Sequence, residues 1–397
     1  MGKNQPRRIT TLNNSVIVID VGSKKIAVSG ERGVNGTFAI DAFSELRYEG
    51  FSEGKFFDEA ELKQTIINVL TAVCDSSRNK PREIFVGVPG SFIRIENRKF
   101  RLSYGRKKKI TAKDKDDLLE AGRRKIDIAG YEAVYASTVY YSLDDNRKVV
   151  DPVGNVSSSL GGLITYQLCE NYFTESVRSA AANVCRATVR FVYDGYAEGR
   201  FLLGNYAADA VKVIVDVGYI TTNSTLFVGD GVLAKDSLDC GGGYITAALV
   251  EKYGISPGAA ERLKREISLG YVRGGQSKYV VEDGGDVKSY SVEEVNETVK
   301  GVLDEIAGNV DEFLEENSSK INVGEIYLTG GGISYMRGAK EHLAGRFGQA
   351  VDVLVPAVPQ YNKPVYASAI SLLDFALAER KTNSFLRIFT RRDRKSV

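Results

Sequence analysis

The chain has 397 residues, 53 of them Lys or Arg against 51 Asp or Glu, and 43% are hydrophobic. The length allows two large domains, and a net charge of +2 argues against wholesale binding to nucleic acid. A single histidine, His342, and four scattered cysteines (Cys74, Cys169, Cys185, Cys240) without C-x-x-C spacing leave no basis for zinc, His-based metal sites or His-dependent triads. The cysteines read as reduced and mostly buried. No run of 18 apolar residues occurs, and the basic start M-G-K-N-Q-P-R-R lacks the apolar core of a signal peptide. The expected location is therefore the cytoplasm.

In chain order, residues 1–13 read as a disordered basic arm, followed by strands near 15–20, 25–30 and 37–43. The first strand runs through V-I-V-I-D-V-G-S-K-K and places Asp20 where the strand stops and Gly22 in the turn. Residues 58–77 have helical periodicity, with Leu62, Ile66, Val69, Leu70 and Val73 on one face. A strand from Ile84 enters a tight turn at Pro89. The stretch 94–125 is basic, including Arg106 to Lys109, and reads as a solvated face or a subunit or partner surface. A helix is expected over Thr111–Ala129, capped by Thr111. Strands follow at 131–141 and 160–168, with a turn at 151–154 between them. Residues 84–165 read as an inserted small α/β subdomain, and a helix over 174–186 returns to the main body.

The opening pattern then recurs as V-K-V-I-V-D-V-G-Y-I-T-T-N from Val211, with Asp216 and Gly218 in the places of Asp20 and Gly22. Gly241 to Gly243 form a turn into a helix over 244–252, and Pro257 and Gly258 introduce a helix over 259–268. Residues 270–290 are Gly-rich with short strand-like pieces. A long amphipathic helix is expected over 292–316. The strand I-Y-L-T runs into Gly330, Gly331 and Gly332, where a helix is expected to begin. A helix, a strand at 351–355 and a last core helix at 366–380 complete the body.

Two D-x-G hairpins facing each other can clamp a phosphate chain, because glycine lets the backbone approach a bulky anion. The Gly triplet offers bare backbone to a flat base or ribose, and a helix N-terminus there would face an anion. The tail N-S-F-L-R-I-F-T-R-R-D-R-K-S-V carries a different signal. Phe385, Leu386, Ile388 and Phe389 share one helix face. Arg387, Arg391, Arg394 and Lys395 lie mostly opposite, with Arg392 adding to the charge. That pattern describes an interfacial helix on anionic lipid.

In the order and spacing of these pieces the chain resembles the actin-like ATPase superfamily and, within it, the FtsA family of bacterial cell-division proteins. The pieces are D-V-G-S-K-K, G-V-P-G-S-F-I-R, D-P-V-G, G-G-Y-I-T, A-E-R-L-K, L-T-G-G-G and P-V-Y-A-S-A-I-S-L-L. The resemblance implies an α/β actin-like fold: two related domains around a nucleotide cleft, with an inserted subdomain and a C-terminal amphipathic helix. It divides the chain into a first subdomain (14–83, 166–209 and 364–380), the insertion (84–165), a second subdomain (210–240 and 300–363), a smaller one (241–299), and a linker with membrane helix (381–397).

The resemblance also implies residue roles. Asp20 and Asp216 would hold Mg²⁺, mainly through water. Gly22, Ser23, Lys24 and Lys25 would meet the β- and γ-phosphates of ATP or ADP, as would Gly218, Tyr219, Thr221 and Thr222 from the second hairpin. Gly242 and Gly243 would cover the nucleotide. Glu261 would bond the ribose, with Arg262 and Lys264 beside ribose or base, and Gly330, Gly331 and Gly332 would seat the adenosine.

The implied partners are FtsZ through its C-terminal peptide, further copies of the chain in a polymer, and anionic lipid at the cytoplasmic face of the inner membrane and the division septum; other division proteins are possible, and no nucleic acid is implied. The chain departs from the family where D-I-G-G-G-T-T-D becomes D-V-G-Y-I-T-T-N. Tyr219 and Ile220 replace glycines, and Asn223 replaces an acid that could hold Mg²⁺ or act as a base. ATP is thus expected as a structural ligand with slow hydrolysis at most. The alternatives are a PilM-like scaffold of another envelope assembly and a small-molecule kinase, the latter disfavoured by Asn223 and the lack of another base.

Overall fold

Alternation of short Val- and Ile-rich strands with amphipathic helices builds two sheets of one topology. The computed structural model describes residues 15–382 except 33–37, 49–50, 53–54, 57, 78–80, 205–210, 271–276 and 319–324. The first half begins with β1 (Val16–Val21), β2 (Lys24–Arg32) and β3 (Phe38–Arg47), an antiparallel meander. A short ribbon, β4 (Phe51–Ser52) and β5 (Lys55–Phe56), leads to α1 (Glu59–Ser76). The apolar stripe read from the sequence is fully buried, and the Asp58 side chain caps the helix by accepting the Glu61 N–H. Next comes β6 (Glu83–Val88), parallel to β1.

Beyond Pro89 the chain builds a separate four-stranded sheet. It holds β7 (Ile93–Lys109), α2 (Ala112–Arg123), β8 (Tyr131–Ser142), β9 (Lys148–Val149) and β10 (Val156–Glu170), in the order β7-β10-β8-β9. Thr111 caps α2 in a reciprocal capping box with Asp114, but the helix ends at Arg123 rather than Ala129. The basic run forms the outer part of β7. This 17-residue strand pairs, among the described residues, only with β10. Charged side chains on an edge strand oppose pairing with another chain's edge.

The main body resumes with α3 (Asn171–Ala182), β11 (Thr188–Tyr193) and α4 (Asp194–Leu202). β11 lies parallel to β6 and completes the first sheet, β11-β6-β1-β2-β3. The second half repeats this plan. Its meander is β12 (Lys212–Val217), β13 (Thr222–Val228) and β14 (Gly231–Leu238). There follow α5 (Gly242–Tyr253), α6 (Pro257–Glu266), the hairpin β15 (Lys278–Asp283) and β16 (Asp286–Ser291), and α7 (Val292–Ser318). Parallel strands β17 (Glu325–Thr329) and β18 (Val351–Val353), with α8 (Ala339–Phe347) between them, give the sheet β14-β13-β12-β17-β18. The chain closes with α9 (Ala367–Thr382).

The last helices of the two halves change places. α4 leaves the first sheet to lie against β12 and β13, while α9 leaves the second to lie against β1, β2 and β6, and the two pack on each other. Both sheets thereby direct the ends of their first strands at one shared region. No described helix is long and apolar enough to cross a membrane. The tail residues Phe385, Leu386, Arg387, Ile388, Phe389, Arg391 and Arg392 lie outside the described residues.

Candidate functional site: a cleft floored by four carboxylates

The two D-V-G hairpins occupy equivalent positions. Asp20 sits at the last parallel pair of β1 with β6, opposite Gly87, and Asp216 at the last pair of β12 with β17, opposite Thr329. Burial pushes the Asp20 carboxyl up to about 6, against the opposing pull of neighbouring Ser368 and Lys25. Burial and the charge of Asp20 push Asp216 up to about 7. Two further acids join them. Asp194 and Glu198 stand one turn apart on α4, and both are raised well above the carboxylate range by burial and by their mutual field with Asp20 and Asp216. Glu198 is 1% exposed, and neither of its carboxylate oxygens has a hydrogen-bond partner among the described residues.

Asp194 and Glu198 escape a reading of the sequence. They lie in Y-D-G-Y-A-E-G-R-F, where two glycines break the helical signal and residues 194–199 are all buried, so no amphipathic stripe exists. Those glycines are what bring the acids to the floor. A Cβ on Gly199 would fall 2.1 Å from the Phe227 ring of β13, and one on Gly195 would fall 2.7 Å from Thr225 Oγ1. The kinase alternative is disfavoured in the sequence partly for lack of a base besides Asn223; Asp194 and Glu198 overturn that reason. Asn223 itself accepts from Ser237 Oγ at 2.7 Å, beside Gly90.

Three glycine turns knit together above the floor. The Gly242 N–H donates to Gly218 O at 2.9 Å, Gly243 N–H to Tyr219 O at 2.6 Å, and Gly332 N–H to Val217 O at 2.7 Å. Gly218 closes its own turn through Thr221 O at 2.9 Å. The triplet therefore supports the second hairpin by backbone contact. The helix expected at its end starts only at Ala339, after a series of turns, so no helix N-terminus faces the cleft there.

Several expected ligands are committed elsewhere. The Lys25 side chain is fully buried; its Nζ donates to Gly22 O and lies 4.5 Å from the centre of the Tyr48 ring, and burial lowers it to about 7. It supports the first hairpin from within rather than projecting from it. Lys24 pairs with Glu45 at 3.0 Å. The Thr222 hydroxyl turns inward to Cys240 O at 2.6 Å. Arg262 donates to Glu282 O at 2.6 Å on the β15–β16 hairpin, away from the cleft. Glu261 and Lys264, by contrast, do converge. Lys264 is buried and donates to Gly242 O (2.8 Å), Thr246 Oγ1 (2.9 Å) and Glu261 Oε1 (2.6 Å).

Tyr219 completes this cluster. Its ring lies against Gly243, whose added Cβ would meet Cε1 at 2.9 Å, and its centre is 5.1 Å from Lys264 Nζ. Burial, and then the nearby Glu261 charge, raise its hydroxyl above the ordinary tyrosine value. A side chain that replaces a glycine of the family pattern thus sits on the residues that the resemblance gives to ribose and base.

A duplicated β-meander with exchanged last helices, carboxylates at matching strand ends and a sheet inserted after the sixth strand defines an actin-like protein. The fold likeness agrees: a PilM–PilN type IV pilus biogenesis complex superposes with a TM-score of 0.63 at 18% identity, covering 91% of this chain and 98% of that one. MreB 5 of Spiroplasma citri bound to AMPPNP gives 0.55 at 12% identity, with coverage of 94% and 98%. Residues 213–371 match the family described as cell division protein FtsA, and residues 90–165 match the SHS2 domain inserted in FtsA. The FtsA of Staphylococcus epidermidis (strain ATCC 12228) is 21% identical over 373 residues, covering 91% of this chain and 79% of that protein. Together the two family matches and the relatives at 21% identity support a divergent FtsA.

Proposed function

We propose that the chain is a nucleotide-binding actin homologue of the division apparatus that polymerises on the inner membrane and tethers FtsZ to it. The observation that carries this reading is the four-carboxylate floor between matching hairpins, in a chain that also carries the FtsA-specific inserted domain. No three acids among the described residues converge closely enough to ligate an ion directly, so a divalent cation fits here only as one held mainly through water between the Asp20 and Asp216 carboxylates at the matching strand ends. Mg²⁺ would sit with Asp20 and Asp216 and offset both their charge and that of the phosphates of ATP or ADP beside it.

A nucleotide base or ribose at Glu261 and Lys264 would displace the Tyr219 ring, which lies against Gly243 with its centre 5.1 Å from Lys264 Nζ. The protein's residues bind and order the subunit; Tyr219 and Ile220 keep hydrolysis slow. Restoring glycine at both positions, Tyr219→Gly with Ile220→Gly, is expected to tighten binding of a fluorescent ATP analogue about tenfold. Losing the cation–π contact with Lys264 and the ring's packing on Gly243 in the unliganded state removes on the order of 1.4 kcal/mol of competition. Unchanged or weaker binding in a titration would remove Tyr219 as a competitor for the site.

Membrane tethering rests on the tail beyond the described residues. Sedimentation with vesicles containing anionic lipid, with and without ATP and Mg²⁺, tests it against a chain truncated before Ser384. Pelleting of the full chain alone, increased by ATP, is expected; pelleting of neither chain would refute the tether. The fold is shared with pilus and division proteins alike, so pull-down by the FtsZ C-terminal peptide is the experiment that separates the division reading from a PilM-like one.

A further inference from the structure

Two long charge runs of opposite sign lie on the two halves of the chain. β7 carries eight basic residues against one acid, and α7 carries nine acids against one lysine, while the whole chain is close to neutral at +2. The ion pairs these elements make are local. Arg94 and Arg98 meet Glu96, and Lys108 meets Asp114. On α7, Lys300 meets Glu297, while His342 and Arg346 meet Asp304. Among the described residues no ion pair crosses from one run to the other, and exposed Lys99, Arg106 and Lys109 have no ion-pair partner.

The α7 acids are ordered. Glu294, Glu297, Glu305, Glu312 and Glu315 are exposed, and at about 100° per residue they share a sector of roughly 80° with Gly301 and Gly308. A Cβ added at either glycine meets nothing within 4 Å. Glycine inside a helix weakens it, and no neighbour in the chain uses the room these two leave. Bare backbone within an acidic stripe lets a long cationic side chain lie close along the helix. The stripe from Glu294 to Glu315 is about 32 Å long. The basic run from Lys99 to Lys109 lies beside Leu163 to Val156 of β10, about 23 Å, and so fits along it. Arg101 within that run is already braced, donating to Ser159 Oγ at 2.8 Å and Leu143 O at 3.2 Å.

The charge of β7 opposes pairing with another strand, so what it fits is an acidic surface. Anionic lipid would take β7 but leave the α7 stripe and its glycines without use. A second copy of the chain takes both. We propose that the acidic face of α7 docks on the basic edge of β7 in a second copy of this chain. The two surfaces differ, so the contact is heterologous and copies add head to tail. This contact presupposes the polymer proposed above and is one of the surfaces that would build it. Salt weakens it, because the charges are exposed.

Sedimentation velocity of the full-length protein with ATP and Mg²⁺, without lipid and at low and high salt, tests the contact. Self-association is expected, weaker as salt rises. Reversing the strand charges (Lys99→Glu, Arg106→Glu, Lys109→Glu) or the helix charges (Glu305→Lys, Glu312→Lys) is expected to weaken it about tenfold in each variant alone. Mixing the two variants is expected to restore it, since each supplies the surface the other lacks; a misfolded variant would not recover. Gly301→Gln with Gly308→Gln is expected to melt above the parent and yet associate less, an opposition that a purely structural role would not produce. Reversed variants that associate like the parent, or that do not recover on mixing, would overturn the contact and leave the polymer standing. A parent that stays monomeric with and without vesicles would remove contact and polymer together. If the chain truncated before Ser384 stays monomeric but pellets with anionic vesicles, and the strand reversal abolishes that, β7 belongs to lipid and the contact is overturned.

Discussion

Gly332→Ala is expected to lower the melting temperature by roughly 2–4 °C, the consequence of overpacking on the order of 2–3 kcal/mol in a chain of this size. A Cβ at this position falls 2.2 Å from Gly218 O and 2.7 Å from Val217 O. Both obstacles are backbone, so no side chain can swing aside. Neither carbonyl is free to retreat, because Val217 O accepts the Gly332 N–H and Gly218 O accepts the Gly242 N–H. Gly242 is as tightly placed, its own Cβ falling 2.5 Å from Gly332 O. Gly308→Ala provides a contrast of opposite sign. Gly308 is an exposed residue of α7 with nothing near its added methyl, and alanine there is expected to gain up to about 1 kcal/mol. Thermal melts of the two variants decide the matter. If Gly332→Ala melts with the parent protein, the three-turn junction is not held as described.

That junction also marks the limit of what the sequence conveys. Glycine at 242 and 330–332 is legible as a demand for bare backbone, but not what approaches it; here the approaching group is the neighbouring turn. The apolar period of α1, the Thr111 cap and the Val-rich strands before Asp20 and Asp216 are local signals and appear as local structure. β7 is hidden by its charge, since an edge strand exposed along most of its length carries no apolar alternation. α4 is hidden by the glycines that let it lie on β13. Lys25 looks like a phosphate ligand because its position in the hairpin is right, yet a pocket under Tyr48, formed by residues outside the hairpin, holds it inside.

The carboxylate floor makes stability depend on pH in a defined direction. Asp20 and Asp216 hold their protons up to about 6 and 7 in the folded chain, against 3.8 for an ordinary aspartate. Between about pH 4 and 7 the folded state therefore binds more protons than the unfolded one, and stability falls as pH rises through that window. Lys25 works in the next window. Its folded value of about 7 lies below the usual 10.5, so the unfolded state binds more protons there and stability recovers from about pH 7 upward.

Asp216→Asn isolates the first effect. The amide resembles the protonated acid in shape and charge, so the variant should melt close to the parent near pH 4. By pH 8 it should be more stable by a few kcal/mol, since each tenfold change in proton affinity is worth about 1.4 kcal/mol and the interaction with Asp20 reduces the sum. At pH 8, Mg²⁺ should raise the melting temperature of the parent and leave that of Asp216→Asn little changed, because the cation replaces the missing protons as the neutralising charge. A stability gap that stays constant from pH 4 to 8, or an Asp216→Asn protein less stable than the parent at pH 8, would show that the four acids do not share one unneutralised site. A gap that opens with pH and closes with Mg²⁺ would mean that the floor stores an electrostatic cost that cation binding relieves.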